Sequence, residues 1–169
     1  MKSIQYIVGL MLGVFFLSAC EKKDYPNGLP EYEHHYYAIF VPNNNTGVSV
    51  QRTQTTLVKF PVQFYSTFTR SYDAVAQYTI VNPATGAAVL DQDYSIVDRN
   101  GNKIQPDGNG IYSIVFPKAV QATDTIYIKL LNSSVAGARK MEVQIKENKT
   151  DQFYVDIFST AFRRPVEIK

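Results

Sequence analysis

Hydrophobic and polar residues alternate along several segments of this chain, with a period of two. Residues 56–65, TLVKFPVQFY, place an apolar side chain at every second position, and residues 124–132 and 139–147 repeat this spacing. A period of two is typical of a β-strand that buries one face and exposes the other. The sequence therefore predicts strands in these segments, with core-facing side chains at Val58, Phe60, Val62, Phe64, Ile126, Ile128, Leu130, Met141, Val143 and Ile145.

Turn-forming residues separate further short apolar segments, and no segment keeps a helical period. Asn100-Gly101 and Asn109-Gly110 predict hairpins with type I′ turns, because Asn and Gly tolerate the positive φ that such turns require. Together the segments predict an all-β fold, an antiparallel Ig-like β-sandwich of about eight or nine strands. The other predicted strands cover residues 36–41, 74–81, 94–97, 112–116, 153–158 and 162–168.

Pro61 lies inside the first alternating segment. Proline has no backbone N–H and cannot donate a hydrogen bond to a neighbouring strand. We therefore predict that this strand lies at the edge of a sheet or carries a bulge at Pro61.

The N-terminus has the layout of a secretory signal. Lys2 precedes an almost unbroken apolar run at 4–17, which is shorter than the roughly 20 residues that a membrane-spanning helix needs. The sequence LSAC at 17–20 then resembles the lipobox of bacterial lipoproteins, and this resemblance implies cleavage just before Cys20 and lipidation of its thiol. The alternatives are an ordinary signal peptide cut after Ala19, with Cys20 left as a thiol, and a short core helix.

We accordingly predict three parts: a lipoprotein signal peptide at 1–19, a lipidated cysteine with a flexible tether at 20–35, and one β-sandwich domain at 36–169. Residues 21–35 are polar, contain two prolines and a glycine, and show no apolar period. Two or more acyl chains hold a protein on a membrane, where one chain is marginal. The expected location is the cell envelope, with the lipid in the outer membrane and the domain facing outward.

Charge and cysteine content argue against several classes of function. The chain carries a formal net charge of +2, and residues 1–19 contain one charged side chain, Lys2, so the remainder is close to neutral. A near-neutral domain offers no electrostatic attraction to nucleic acid. Cys20 is the one cysteine, and its lipidation would leave no thiol for a disulfide or a thiolate metal site. The sequence predicts no nucleic-acid partner and no cofactor.

Candidate catalytic residues are few. The two histidines, His34 and His35, are adjacent, so in an extended chain they point in opposite directions and cannot bind one ion together. Asp91 and Asp93 would share one face of a strand, a spacing that suits a glycosidase acid pair or a cation site. We favour a solvated start of the first strand for the histidines and a polar turn for the aspartates, and we predict no enzyme activity and no bound metal.

Aromatic residues are the remaining candidates for ligand binding. The chain has 12 tyrosines and 10 phenylalanines, most of which are expected in the core or on strand surfaces. Residues 65–73, YSTFTRSYD, differ because they place aromatic rings and a guanidinium in a predicted loop, where a sugar or a peptide could stack and form hydrogen bonds. The interpretation that we favour is nevertheless a long structural hairpin whose Phe68 folds back into the core. The predicted contacts are Tyr65, Arg70 and Tyr72, with Tyr127 on an outward strand face.

Residues 93–145 contain, in order, Asp93-Tyr94, GIYSIVF at 110–116, TIYIKLLN at 125–132 and the alternating MEVQI at 141–145. This order of elements resembles that of Calx-beta-type sandwich domains, which implies an Ig-like fold. In that family, glutamates in the turn before the last strand help to bind calcium, whereas this chain has Ala-Gly-Ala-Arg at 136–139. We therefore predict no calcium site.

The whole chain is also similar to small lipoproteins of Bacteroidetes, in which a lipobox and a short tether, here YPNGLPEYEH at 25–34, precede one tyrosine-rich sandwich. Members resemble the Ig-like N-terminal domains of surface lipoproteins encoded beside starch-utilisation-type outer-membrane transporters. The resemblance implies a cell-envelope location and a binding or accessory role. Our leading hypothesis is a non-catalytic binding module at the cell surface, with a glycan as the expected ligand. The alternative is a structural or protein–protein interaction module, such as an adhesin subunit or a partner of neighbouring envelope lipoproteins.

Overall fold

The computed structural model describes residues 34–158 and 160–169. The predicted signal peptide, Cys20 and the tether up to residue 33 lie outside the described residues. Within the described residues, no helix is long and apolar enough to cross a membrane. The strands are β1 (His35–Phe40), β2 (Val48–Val50), β3 (Val58–Tyr65), β4 (Ala74–Val81), β5 (Tyr94–Val97), β6 (Tyr112–Phe116), β7 (Ala122–Leu130), β8 (Arg139–Lys146), β9 (Asn148–Lys149), β10 (Tyr154–Ile157) and β11 (Arg163–Ile168).

The strands form two sheets, which confirms the predicted all-β sandwich. Sheet A has the order β5-β7-β3-β1-β10-β9, and sheet B has the order β2-β11-β8-β4-β6. Most neighbouring strands are antiparallel, but β1 pairs with β10 and β2 pairs with β11 in the parallel direction. The described residues form eleven strands rather than eight or nine, because β2 and β9 are too short to produce an alternating pattern.

The core lies between the sheets and takes every second residue of the long strands. In β3 the four predicted apolar positions are buried, and the residues between them are exposed or half-buried. Phe64 of β3 stacks on Phe116 of β6, with ring centres 4.5 Å apart, and so joins the two sheets. Burying a side chain of this size contributes about 1.5–3 kcal/mol, so the alternating strands supply most of the apolar stabilisation.

Pro61 lies in an interior strand, so its predicted position at a sheet edge is wrong. β3 has β7 on one side and β1 on the other, and its pairing with β7 continues through Pro61 without a bulge. The carbonyl of Pro61 accepts the N–H of Val41 at 2.9 Å, just beyond the last β1 pair, Phe40 with Val62. The imide nitrogen therefore faces the end of β1, beyond the last residue of β1 that pairs with β3.

The two Asn-Gly sequences form tight turns, but the predicted type I′ geometry is wrong. Only the glycine of each pair has a positive φ, +85° at Gly101 and +75° at Gly110, whereas type I′ needs two such residues. Asp98 Oδ1 accepts the N–H groups two and four residues ahead, at 2.8 and 2.9 Å. Asp107 repeats this arrangement at 2.9 Å, and these local carboxylate bonds select the observed turn.

Candidate functional site

Phe68, which the favoured interpretation of residues 65–73 placed in the core, is exposed in the loop after β3. Tyr65, the last residue of β3, is 41% exposed, and Phe68 is 63% exposed. The guanidinium carbon of Arg70 lies 5.2 Å from the centre of the Phe68 ring, which is a cation–π distance. The interpretation in which Phe68 folds back into the core is therefore wrong, because most of its surface faces solvent.

Tyr72, in contrast, packs against the body of the domain. Its hydroxyl lies 2.5 Å from the hydroxyl of Tyr36 and 2.7 Å from Nδ1 of His34. Its ring stacks on Phe153, with ring centres 5.9 Å apart. These contacts attach the loop to the start of β1 and leave both Tyr72 and His34 half-buried, so His34 is not the solvated residue that was expected.

Tyr127 lies on the same outer face of sheet A as Tyr65 but far from it. Tyr127 pairs with Lys59 of β3, and Tyr65 follows Lys59 by six positions along that strand. At about 3.3 Å per residue, the two tyrosines are separated by roughly 20 Å. The structure therefore divides the predicted contacts between two regions, with Tyr65 and the following loop in one and Tyr127 in the other.

An aromatic surface that was not predicted surrounds Tyr65. Tyr65 pairs with Tyr37 of β1, and the ring of Tyr37 lies 5.0 Å from the stacked ring of His35 and meets Phe158 edge-on at 5.7 Å. His35 also stacks on Tyr154 of β10 at 4.6 Å. We refer to Tyr65, Tyr37, His35, Tyr154 and Phe158 as the aromatic face.

The rings of the aromatic face differ in how much surface they present. Tyr37, His35 and Tyr154 are half-buried, because they are stacked in series on one another. Phe158 is 48% exposed and Tyr65 is 41% exposed. The three stacked rings therefore form a packed base, and the two exposed rings are the ones that a ligand can cover.

Polar groups border the stacked rings. Nε2 of His35 lies 3.2 Å from Oδ2 of Asp156, and Nζ of Lys149 lies 5.8 Å from the centre of the Tyr154 ring. Desolvation, and then the neighbouring Asp156 and Glu147 carboxylates, raise the pKa of Tyr154 to about 12. The Tyr154 hydroxyl therefore keeps its proton at neutral pH, and the border of the aromatic face contains both hydrogen-bond donors and acceptors.

Sequence reasoning missed the aromatic face because its residues come from distant parts of the chain. His35 and Tyr37 alternate with buried Tyr36 and Ala38, which identifies them as outward-facing residues of one strand. The parallel pairing of His35 with Tyr154 links positions more than one hundred residues apart. No local pattern indicates that partner, so the alternation was the only available signal.

Asp91 and Asp93 do not form a pair of facing carboxylates. Asp91 has a positive φ of 65°, and its carboxylate lies 2.5 Å from Nζ of Lys103 and 3.1 Å from the Ser95 hydroxyl. These two contacts hold the pKa of Asp91 below its usual value, with the Lys103 hydrogen bond as the main cause. Asp93 is buried and accepts the N–H of Val89 at 2.8 Å. The two side chains therefore stabilise a turn, as the favoured interpretation proposed.

An arginine organises the loop between β7 and β8, the loop in which the Calx-beta resemblance would place acidic residues. The Arg52 guanidinium donates to the carbonyl of Ser133 at 2.9 Å, to that of Gly137 at 2.6 Å, and also to that of Val135. Carbonyl oxygens that could face a cation are thus turned towards a fixed positive charge. Among the described residues, no group of three or more His, Cys, Asp or Glu side chains is placed to hold a metal ion.

Comparisons with known proteins identify the fold. No protein-family model and no curated protein sequence matches the chain. Among solved structures, the apo-form Calx CBD1 domain aligns with a TM-score of 0.50 at 16% identity, over 79% of this chain and 95% of that chain. The Calx CBD2 domain aligns with a TM-score of 0.47 at 12% identity, over 78% of this chain and 85% of that chain. The Calx-beta-like sandwich predicted from the sequence is therefore confirmed as a fold.

Proposed function

We propose that this domain is a non-catalytic binding module that recognises a glycan through the aromatic face. The observation that carries the proposal is the presence of two exposed rings, Tyr65 and Phe158, that both neighbour Tyr37. Exposed aromatic rings collected on one sheet face are expected to bind a ligand that has flat apolar surfaces.

A sugar ring has this kind of surface. Its C–H groups carry a slight positive charge and stack on the negative π face of an aromatic ring. Its hydroxyl groups need hydrogen-bond partners, and the Tyr154 hydroxyl and the Asp156 carboxylate border the same surface. Because the inner rings are already packed on one another, no side-chain entropy is lost in ordering them when a ligand binds.

The geometry of the acidic residues supports a binding role rather than hydrolysis. The two carboxylates considered as a glycosidase pair have separate partners, Lys103 and Ser95 for Asp91 and the Val89 N–H for Asp93. A glycosidase pair needs both carboxyl groups to face one scissile bond. Asp93 is buried and does not meet this requirement.

The proposal extends to location. The LSAC motif at 17–20 supports a lipid anchor at Cys20, and the polar segment at 21–33 supports a tether between the lipid and the domain. Each residue of an extended chain spans at most about 3.3–3.6 Å, so the tether is long enough to hold the domain away from the lipid surface. In this proposal the domain faces outward from the cell envelope and collects glycan for a polysaccharide-uptake system.

Substitutions on the aromatic face test the proposal. We expect Tyr65→Ala and Phe158→Ala each to weaken glycan binding by about 1–2 kcal/mol, as the loss of a stacked ring does at a binding hot spot. Tyr127→Ala is the matched control, because it removes a tyrosine from the same sheet about 20 Å away. Binding is measured on a glycan array and then by titration calorimetry with the polysaccharide that the array selects.

Thermal unfolding of each variant separates binding from folding. Tyr65 and Phe158 are exposed, so their removal should change stability by no more than about 0.5 kcal/mol. A wild-type protein that binds no glycan on the array would overturn the proposal. Equal loss of binding in Tyr127→Ala would show that the aromatic face is not the site.

A further inference from the structure

Two strand edges are open on one side of the sandwich. β6 is the last strand of sheet B and, within the described residues, pairs with β4 alone. In sheet A, β5 reaches only residues 127–130 of β7, so that residues 122–126 pair with β3 alone in the part of the chain that the structure describes. Each open edge carries backbone N–H and C=O groups that a further strand can bind.

A groove of about 570 Å³ lies between these two edges. Residues 113–115 of β6 line one side, and residues 123–127 of β7 line the other. Four residues of the core, Tyr78, Val97, Ile114 and Ile126, contribute apolar surface to the bottom of the groove. The volume is within the usual range of ligand sites, about 300–1,000 Å³.

Among the described residues, the other sheet edges are either short or covered by another segment. The edge of β6 is longer than β2 and β9, and no described segment covers it. β2 has three residues and β9 has two, and the open side of β5 is met by Ile104, whose N–H donates to the Ile96 carbonyl at 2.9 Å. β6 has five residues, YSIVF, with no charge and no proline, and its Val115 is 49% exposed. Proteins usually protect an exposed edge with charged residues or proline, so this edge is accessible for pairing.

The rim of the groove is acidic on balance. It contains the carboxylates of Asp98 and Asp124, and Arg99 is the one basic residue among the described residues that line it. Asp98 is fixed by its turn, where its side chain accepts the Asn102 side-chain amide at 2.9 Å. A ligand that presents basic side chains to this rim and apolar side chains to the bottom of the groove is therefore complementary to both.

We propose that this groove binds an extended segment of a partner protein, which adds as a strand to the open edge of β6. Main-chain hydrogen bonds provide affinity in this mode of recognition, and alternate side chains provide specificity. On the face of the segment that points between the sheets, apolar side chains meet Ile114 and Ile126, and basic side chains further along the same face reach Asp98 and Asp124. The site is separate from the aromatic face, so this proposal does not depend on glycan binding.

Synthetic peptides of defined pattern test the proposal with the intact mature protein. The probe is a short peptide in which every second residue is threonine and the positions between them are alternately valine and lysine, so that valine and lysine share one face of the strand. One control peptide has glutamate in place of lysine, and another has the lysine sequence with alternate backbone nitrogens methylated. Calorimetric titration should show binding of the lysine peptide and binding about tenfold weaker for the methylated peptide, which has lost several backbone donors.

Protein variants locate the binding site. Val115→Lys places a charge on the open edge and should weaken binding about tenfold, whereas Asp124→Asn removes one exposed ion pair and should weaken it about twofold to fivefold. Val89→Lys is the matched control, since Val89 is similarly exposed and is not in the groove lining. If Val115→Lys lowers the melting temperature, its loss of binding is ambiguous, and the binding measured for the exposed substitution Asp124→Asn shows whether the groove is the site.

Four outcomes would overturn the proposal. They are no binding of the lysine peptide by the wild type, equal binding of the methylated peptide, equal binding of the glutamate peptide, and unchanged binding in both groove variants. Sedimentation of the protein alone provides a further test, because a dimer that dissociates on Val115→Lys would identify a second copy of this chain as the occupant.

Discussion

Tyr65 and Tyr72 belong to one short segment, yet their side chains have different roles. Tyr65 is the last outward-facing residue of β3 and is exposed. Tyr72 directs its hydroxyl to Tyr36 and His34 and stacks on Phe153. In the sequence both are tyrosines in a predicted loop, and the difference arises from which residues of β1 lie beneath them.

The hydrogen bonds of Tyr72 should stabilise the domain. Tyr72→Phe removes the hydroxyl and keeps the ring on Phe153, so we expect a loss of about 1 kcal/mol in the free energy of unfolding. Tyr65→Phe, at an exposed site, should change it by less than about 0.5 kcal/mol. Urea unfolding measures both, and a lower midpoint with an unchanged slope is the expected result for Tyr72→Phe. Equal midpoints for the two variants would show that the hydroxyl contributes nothing.

At the scale of elements, local sequence predicted where strands lie better than how they pair. The observed bounds of β4, β5 and β6 are the predicted ones, because a period of two depends only on neighbouring residues and on one buried face. The position of Pro61 was predicted wrongly because tolerance of proline depends on where the adjacent strand ends. That end is set by β1, which precedes β3 by many residues.

The turn at Asp107–Ile111 offers a test of turn geometry with an internal control. Gly110 has a φ of +75°, where a side chain costs about 1–2 kcal/mol. Gly108 does not have a positive φ, and nothing lies within 4 Å of a Cβ added there. We expect Gly110→Ala to lower the free energy of unfolding by about 1–2 kcal/mol and Gly108→Ala to leave it within about 0.5 kcal/mol. Thermal unfolding distinguishes the two, and equal effects would contradict the observed geometry.

The whole domain should be sensitive to alkaline pH. Burial raises the pKa of Tyr78 and of Tyr94 above the usual value, and the pKa of Tyr154 is raised to about 12. The folded state therefore holds these protons more tightly than the unfolded chain, whose tyrosines titrate near pH 10. The resulting stability is complete below about pH 10 and is lost as the pH rises further.

Two spectra recorded during one alkaline titration check this expectation. Tyrosinate absorbance from the buried residues should appear together with the loss of the near-ultraviolet circular dichroism of the folded core. Full ionisation of all tyrosines while that dichroism persists would show that burial does not raise these pKa values.

The proposed lipid anchor is tested on the whole protein in cell membranes. We expect wild-type protein to be extracted with membranes and to have an intact mass that shows lipid at Cys20 and no residues 1–19. Cys20→Ser should move the protein to soluble fractions without changing its unfolding curve, because residue 20 lies outside the described domain. A membrane-extracted wild type with an unmodified Cys20 would contradict the anchor.

The sequence alone determined the fold class, most of the strands and the inward-facing residues, because alternation is a local consequence of burying one side of a strand. The tertiary structure decided which outward-facing residues meet. It brought Tyr37 and His35 of β1 together with Tyr65 of β3 and Tyr154 of β10. In the part of the chain that the structure describes, it also left the edge of β6 open beside β7. Packing across the whole core determines which strands pair. The alternation of apolar and polar residues in one strand is compatible with many partner strands. The aromatic face and the groove are therefore products of pairing and follow from no single segment.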